Sequence, residues 1–421
     1  MPGPGKRSGD DEEPLPGGDY VRPGGKVDPD AIRVAIGAGT DEPLDDEESE
    51  GLRRVTFKLS RELDKRLDKY LTDRITFMSR NQLQRLIEFG GVTVNGRAPK
   101  ASTKLHLGDV VEVVVPPPPS SEIQPEDIPL NIIFEDDYML VLNKQPDLIV
   151  HPARSHNSGT LLNALVHHFA RSGAPGSLSS VGKEFARPGV VHRLDRHTSG
   201  VMVIAKDDEA HWRLGRQFED RRVDKRYLAI VEGEIGDKLP LADVIDVPMG
   251  PHHSRAKGMR EKQVVRHDEL GKPAVTIYRV RERYNGYTLV ELELKTGRTH
   301  KIRVHLSHIG FPLVGDDMYG GRRLTAQQFF SGIAARPADA GLDPADPLMM
   351  RQALHATLLG IRHPITGAPA VFTAPLAPDL ARLIHLLRTY RPPQSGVLRP
   401  DLAGATIDLD QAIGPDHGPT L

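Results

Sequence analysis

Cysteine is absent from this 421-residue chain. That excludes disulfides, a thiolate nucleophile and Cys-ligated zinc or iron–sulfur centres, and it suits a cytoplasmic protein. No apolar run approaches the roughly 18 residues of a membrane span, so no membrane partner is expected. The start, Met1-Pro2-Gly3-Pro4-Gly5, lacks the apolar region of a signal peptide. A Gly-rich phosphate loop of the ATP or dinucleotide type is also missing, so neither cofactor is expected. There is no His-Glu-x-x-His. The spacings of His300, His305 and His308, five and three residues, do not set all three on one helix face. A metal site is therefore not expected, and a metal-dependent hydrolase would require bound zinc.

The chain also has little net charge, −2, but this conceals an asymmetry. Residues 1–50 carry 5 basic and 14 acidic side chains, and the remainder carries a net +7. The first 50 residues are rich in Gly, Pro, Asp and Glu and almost devoid of aromatics. They cannot bury enough apolar surface to offset ordering entropy, so they read as an acidic disordered tail. A basic body behind it is compatible with nucleic-acid binding.

Residues 51–115 read as a small α/β unit. Leu63, Leu67, Tyr70 and Leu71 give the stripe of an amphipathic helix. Ser79, with Gln82 three residues on, caps a second helix that ends at Gly90-Gly91. Val92-Thr93-Val94, an Asn95-Gly96 turn and the run Val110–Val115 complete it as strands. This order resembles the RNA-binding module named after ribosomal protein S4. The unit carries 13 basic and 7 acidic residues. Arg80, Arg85, Lys100 and Lys104 are its candidates for phosphate contact. Residues 116–124 form a Pro-rich linker.

From 125 to 392 the pattern is α+β with a largely antiparallel sheet. Ile132–Phe134 and Met139–Leu142 read as a hairpin. Helices are expected over Thr160–Ala170 and around Ala210, Leu214 and Phe218. Tyr227–Val231 reads as a strand, and Ala274–Tyr284 and Tyr287–Leu294 pair around Asn285-Gly286. A last helix follows Thr299, with Ile302, Leu306 and Ile309 on one side. Residues 393–421 read as a loose C-terminal tail.

The chemistry centres on Pro188-Gly-Val-Val-His-Arg-Leu-Asp195-Arg-His-Thr-Ser-Gly200. One carboxylate sits in a basic loop between apolar segments, where a rigid scaffold usually presents function. A lone loop Asp is commonly a turn or capping residue. Here His-Arg-Leu-Asp-x-x-Thr-Ser-Gly resembles the signature of the RluA/RluD-type pseudouridine synthases. A second segment, Thr296-Gly-Arg-Thr-His-Lys-Ile-Arg-Val-His305, and a third, Lys225-Arg-Tyr-Leu-Ala-Ile-Val231, resemble two further motifs of that family. The resemblance covers about residues 53–390.

The resemblance implies an enzyme that isomerises uridine in structured RNA without a cofactor. It implies Asp195 as nucleophile, attacking C1′, C6 or acting through a glycal route. It implies Arg298 beside it to keep it ionised, and Tyr227 stacking on the base and serving proton transfer at C5. Ile302 would pack on the nucleotide or belong to the helix core. Arg193 would fill the space left by the flipped base, bind its phosphate or hold the loop. Lys301 stands where the family usually has Gln and puts a cation where RNA contacts are expected. His151-Pro152 and Arg351–Ala356 also match, mainly as structure, with His355 a weaker site candidate. Ribosomal RNA is the first substrate implied and transfer RNA the second, and the family implies a monomer. The competing reading is a non-catalytic RNA-binding or ribosome-assembly factor on the same fold.

Overall fold

Short Val- and Ile-rich segments separated by turn residues build two units. The computed structural model describes residues 26–28, 31, 54–60, 62–63, 65–114, 123–150, 158–172, 189–237, 239–254, 262–393, 399–400 and 402–414. The first unit holds β1 (Arg54–Lys58), α1 (Leu67–Arg74), α2 (Arg80–Glu88), β2 (Val92–Val94) and β3 (Val110–Val114). Central β3 pairs antiparallel with β1 and β2. Val111 and Val113 alternate inward, as period-2 patterning requires. Ser79 and Gln82 form the expected reciprocal cap of α2. Helix α1 starts only at Leu67, so Leu63 precedes it, yet Leu63 packs on the same core.

Most of the supposed acidic tail lies outside the described residues. Val27 is an exception: it is buried in the core of the first unit, and its N–H donates to the Arg74 carbonyl at 2.8 Å. A single apolar residue able to fill that site overrides the polar composition around it.

The second unit holds β4 (Asn131–Glu135), β5 (Met139–Lys144), α3 (Leu161–Ser172), β6 (Ser199–Ala205), α4 (Asp208–Glu219), β7 (Asp224–Glu232) and β8 (Ala242–Asp246). It continues through β9 (Met249–Pro251), β10 (Gln263–Val265), β11 (Val275–Tyr284), β12 (Tyr287–Leu294) and α5 (Lys301–His308). Then come β13 (Leu324–Thr325), α6 (Ala326–Phe330), β14 (Pro347–Met349), β15 (Leu354–Arg362), β16 (Pro369–Thr373), α7 (Pro378–Tyr390) and α8 (Leu409–Ile413). Among the described residues the main sheet runs β4-β5-β6-β15-β7-β12-β11-β8, with β16 added to β15. Every pair is antiparallel except β6 with β15. The α+β, largely antiparallel expectation is met.

Two expectations are corrected. The helix after Thr299 is not the last, because α7 follows with Leu380, Leu383, Ile384 and Leu387 buried along one face. Nor is the chain after 393 loose throughout. Ile407, Leu409 and Ile413 are buried in the core that α7 covers. Asp408 caps α8, Arg399 pairs with Glu282 at 2.7 Å, and Thr406 bonds Glu291 through its N–H and hydroxyl. Three apolar residues at suitable intervals outweigh the polar average of the segment.

Candidate active site

The loop bearing Asp195 leads directly into β6. Gly200 shows why that junction is tight: its φ is +122°, and a Cβ there would collide with the backbone of Ala356 on β15. The parallel contact pairs Ser199 with His355 and Ala356 with Gly200. Polar side chains then clamp the loop from beneath. Lys144, at the end of β5 and wholly buried, donates to the Arg196 carbonyl at 3.0 Å and to the carbonyls of Gln145 and Leu148. Arg351 donates to the His197 carbonyl at 2.9 Å while its other donors hold Asp379. His355 meets Ser199 Oγ at 2.9 Å, and burial holds its imidazole down to about 3, so it is a neutral structural group.

The opposite wall is the segment from Thr296 into α5. Lys301 points inward rather than toward RNA. Its ammonium, inside the fold, donates to the Val275 carbonyl at 3.0 Å, the Thr296 hydroxyl at 2.8 Å and the Thr296 carbonyl. Arg298 Nε donates to the Pro273 carbonyl at 2.9 Å. His300 adopts a left-handed conformation, φ +58°, at the start of α5. Its Nδ1 lies 2.9 Å from the Tyr319 hydroxyl, which itself accepts the Gln263 N–H. Arg303 makes a two-pronged pair with buried Asp316, both contacts 2.7 Å, and its guanidinium lies over the Tyr319 ring.

Between these walls is a cavity of about 530 Å³. It brings together Arg193, Asp195, Tyr227, Arg298 and Ile302, side chains from three segments that the sequence leaves far apart. Tyr227 is buried in β7, and Ile302 serves the core and the cavity wall at once. Arg303 Nη1 stands 3.7 Å from the Asp195 carboxylate, and Arg298, on the same cavity, donates from Nε to the Pro273 carbonyl.

The Asp195 side chain is about 20 % exposed. Burial pushes its carboxyl up, but His300, Arg303, Arg193 and Lys144 outweigh burial and hold it below the usual carboxylate range. His300 Nε2 is 3.9 Å away, and burial holds that imidazole down to about 4, so it is neutral near pH 7. Lys144 is pushed down to about 7 by burial. The lasting cations around Asp195 are therefore Arg303 and Arg193. An ionised carboxylate in a partly enclosed cavity, beside a tyrosine and an apolar wall, is equipped to attack an electrophilic carbon of a flat base or its sugar.

Sequence reasoning missed Lys144, Arg303 and His300. The signal for Lys144 was a lone cation closing the apolar run Met139–Leu142. Arg303 lay in the same motif as Arg298.

The candidates in the first unit lie apart from this cavity. Arg80 donates to Asp68 at 2.8 Å. Asp68 is fully buried, and although burial pushes its carboxyl up, Arg66, Arg80, Gln84 and the Lys69 N–H together hold it well below the usual range. Arg80 is thus tied into the fold of the unit. Arg85, Lys100 and Lys104 are exposed. His305 bonds Thr276 Oγ1 and the Val247 carbonyl, and among the described residues no group of three metal-ligating side chains occurs. His151-Pro152 lies outside the described residues.

Residues 138–308 match the family described as RNA pseudouridylate synthase, and residues 65–111 match the S4 domain. An uncharacterized RNA pseudouridine synthase, YlyB, of Bacillus subtilis is 41 % identical over 323 residues, covering 77 % of this chain and 94 % of that protein. The ribosomal large subunit pseudouridine synthase D of Pasteurella multocida is 38 % identical over 330 residues, covering 78 % and 92 %. The solved structure of human RNA pseudouridylate synthase domain containing 4 is 25 % identical, with a TM-score of 0.45 over 62 % of this chain and 95 % of that one.

Proposed function

Because the chain belongs to the RNA pseudouridine synthases, we propose that it converts uridines of large-subunit ribosomal RNA to pseudouridine, with Asp195 as nucleophile. The observation that carries this reading is the ionised Asp195 carboxylate in one cavity with Tyr227. The choice of RNA is supported by relatives named for the ribosomal large subunit and by the S4 domain.

The target uridine leaves its stack to enter the cavity, since the sugar and ring carbons are otherwise out of reach. Asp195 drives cleavage of the N1–C1′ bond. The freed uracil turns, C5 bonds to C1′, the C5 proton departs and N1 gains a proton. Tyr227 packs on the base and serves the proton transfer at C5. Arg303 and Arg193 keep Asp195 charged, Arg298 and Ile302 border the nucleotide, and Lys144 fixes the loop. The reaction is an isomerisation with no net redox change or hydrolysis, so these groups suffice. The S4 unit holds the RNA through exposed Arg85, Lys100 and Lys104. One chain supplies every residue named, and the enzyme works as a cytoplasmic monomer. Among the described residues no helix is long and apolar enough to cross a membrane.

The test is pseudouridine formation on bulk bacterial ribosomal RNA by the wild type and by Asp195→Asn. Product from the wild type and a loss of at least about 10⁴-fold in the variant are expected. Equal product from both would refute the role of Asp195. No product from either, with RNA binding intact, would remove ribosomal RNA as substrate and call for transfer RNA.

A further inference from the structure

A second groove lies against the Asp195 cavity and shares Leu294 and Gly297 with it as a common wall. It is open to solvent, and its charged lining is Arg221, Lys225, Lys295 and Glu219. The one carboxylate in that lining is already matched. Glu219 accepts from Arg54 of the S4 unit at 3.0 and 3.1 Å. Lys295 contacts Glu293, which it shares with Arg226 at 2.7 Å and Arg279 at 3.1 Å, and Arg226 also pairs with Asp224 at 2.7 Å. The Lys225 ammonium stands over the Phe218 ring, 5.6 Å from its centre.

Arg221 supplies an independent mark. It follows the end of α4 with φ +55°, a left-handed conformation in which glycine is the residue of least strain. The neighbouring backbone bonds, Arg221 N–H to Phe218 and Arg222 N–H to Gln217, would form equally well with glycine there. A long cationic side chain stands instead at a strained position on the lining of the groove that adjoins the Asp195 cavity. Strain of this kind points to use.

We propose that this groove is a binding site for the sugar–phosphate backbone of the single-stranded RNA flanking the target uridine, with Arg221, Lys225 and Lys295 as its phosphate contacts. The site rests on the RNA substrate proposed above. It gives the strand a track from the S4 unit to the cavity, so a nucleotide flipped into the cavity has its neighbour held next door.

Binding of the full chain to a large-subunit ribosomal RNA transcript, followed from about 50 to 200 mM salt, tests this. Arg221→Gly is expected to fold and to bind RNA about fivefold more weakly than the wild type. Its plot of log affinity against log salt should be shallower by about 0.7, one phosphate contact on single-stranded RNA. The double variant Lys225→Gln/Lys295→Gln should lose about 1.4 of slope. In both, the single-turnover rate at saturating RNA should equal the wild type's. Unchanged affinity and slope in both variants would overturn the site. So would weaker binding with an unchanged slope, which would mean altered shape rather than lost phosphate contacts. Should Arg221→Gly fail to fold, the lysine pair decides. The salt slope is read without pseudouridine formation, so an inactive wild type would remove the proposed reaction while leaving this result readable.

Discussion

At the scale of single residues, the site separates groups that line the cavity from groups that hold its walls. Lys301 shows how residue type and role part company. A cation in an RNA-facing motif reads as an RNA contact, yet its three N–H donors are taken by Val275 and Thr296. A primary ammonium can serve several inward carbonyls, and that need is invisible until the fold supplies them. That Asp195, Tyr227 and Arg298 would share one cavity was legible because their motifs are specific. The pairing of Asp195 with Arg303 was not, because it depends on which way two arginines in one motif turn. Tyr227 permits a clean division of labour. Tyr227→Phe keeps the ring and removes the hydroxyl. RNA affinity within about twofold of wild type, with turnover lowered at least about 100-fold, is expected from single-turnover assays. Full activity in that variant would remove the hydroxyl from proton transfer.

At the scale of elements, turn chemistry was the most readable part of the chain. Asn285-Gly286 does join β11 to β12, with Gly286 at φ +83°, and Ser79 does cap α2. Helix α7 was passed over although Leu380, Leu383, Ile384 and Leu387 have helical spacing and Pro378 stands in its first turn, where proline is favoured. The parallel contact of β6 with β15 is a tertiary choice between strands some 150 residues apart in sequence, and local pattern does not encode it. Gly200 carries that contact. Gly200→Ala combines a left-handed φ with a backbone collision, so a loss of about 3 kcal/mol or more, or insoluble protein, is expected. Chemical denaturation measures it, and a variant as stable as wild type would show that the strands can separate without harm.

At the scale of the whole molecule, burial of neutral imidazoles sets the acid limit. Burial holds His300 and His305 down to about 4 and His355 to about 3. Between those values and the unfolded value near 6.5, the unfolded chain binds protons that the folded chain refuses. Their contribution is complete above pH 6.5 and is lost as pH falls toward 4, on the order of 2 kcal/mol each by pH 5. Lys144, held to about 7, acts in the same direction between pH 7 and its unfolded value of 10.5. The melting temperature should therefore drop by several degrees from pH 7.5 to pH 5, and a flat profile in calorimetry would contradict these burials.

The segment 399–414 has a further consequence. Glu282 and Glu291 are wholly buried, and part of their covering comes from Arg399 and Thr406. Those residues are synthesised after the strands that carry the two carboxylates, and after Asp195, Tyr227 and Arg303. A growing chain thus holds every group of the site before it holds the groups that satisfy its own core. Settling of this unit must wait until translation has passed residue 414, and a nascent chain stalled short of that point would carry the site's residues on an unfinished sheet.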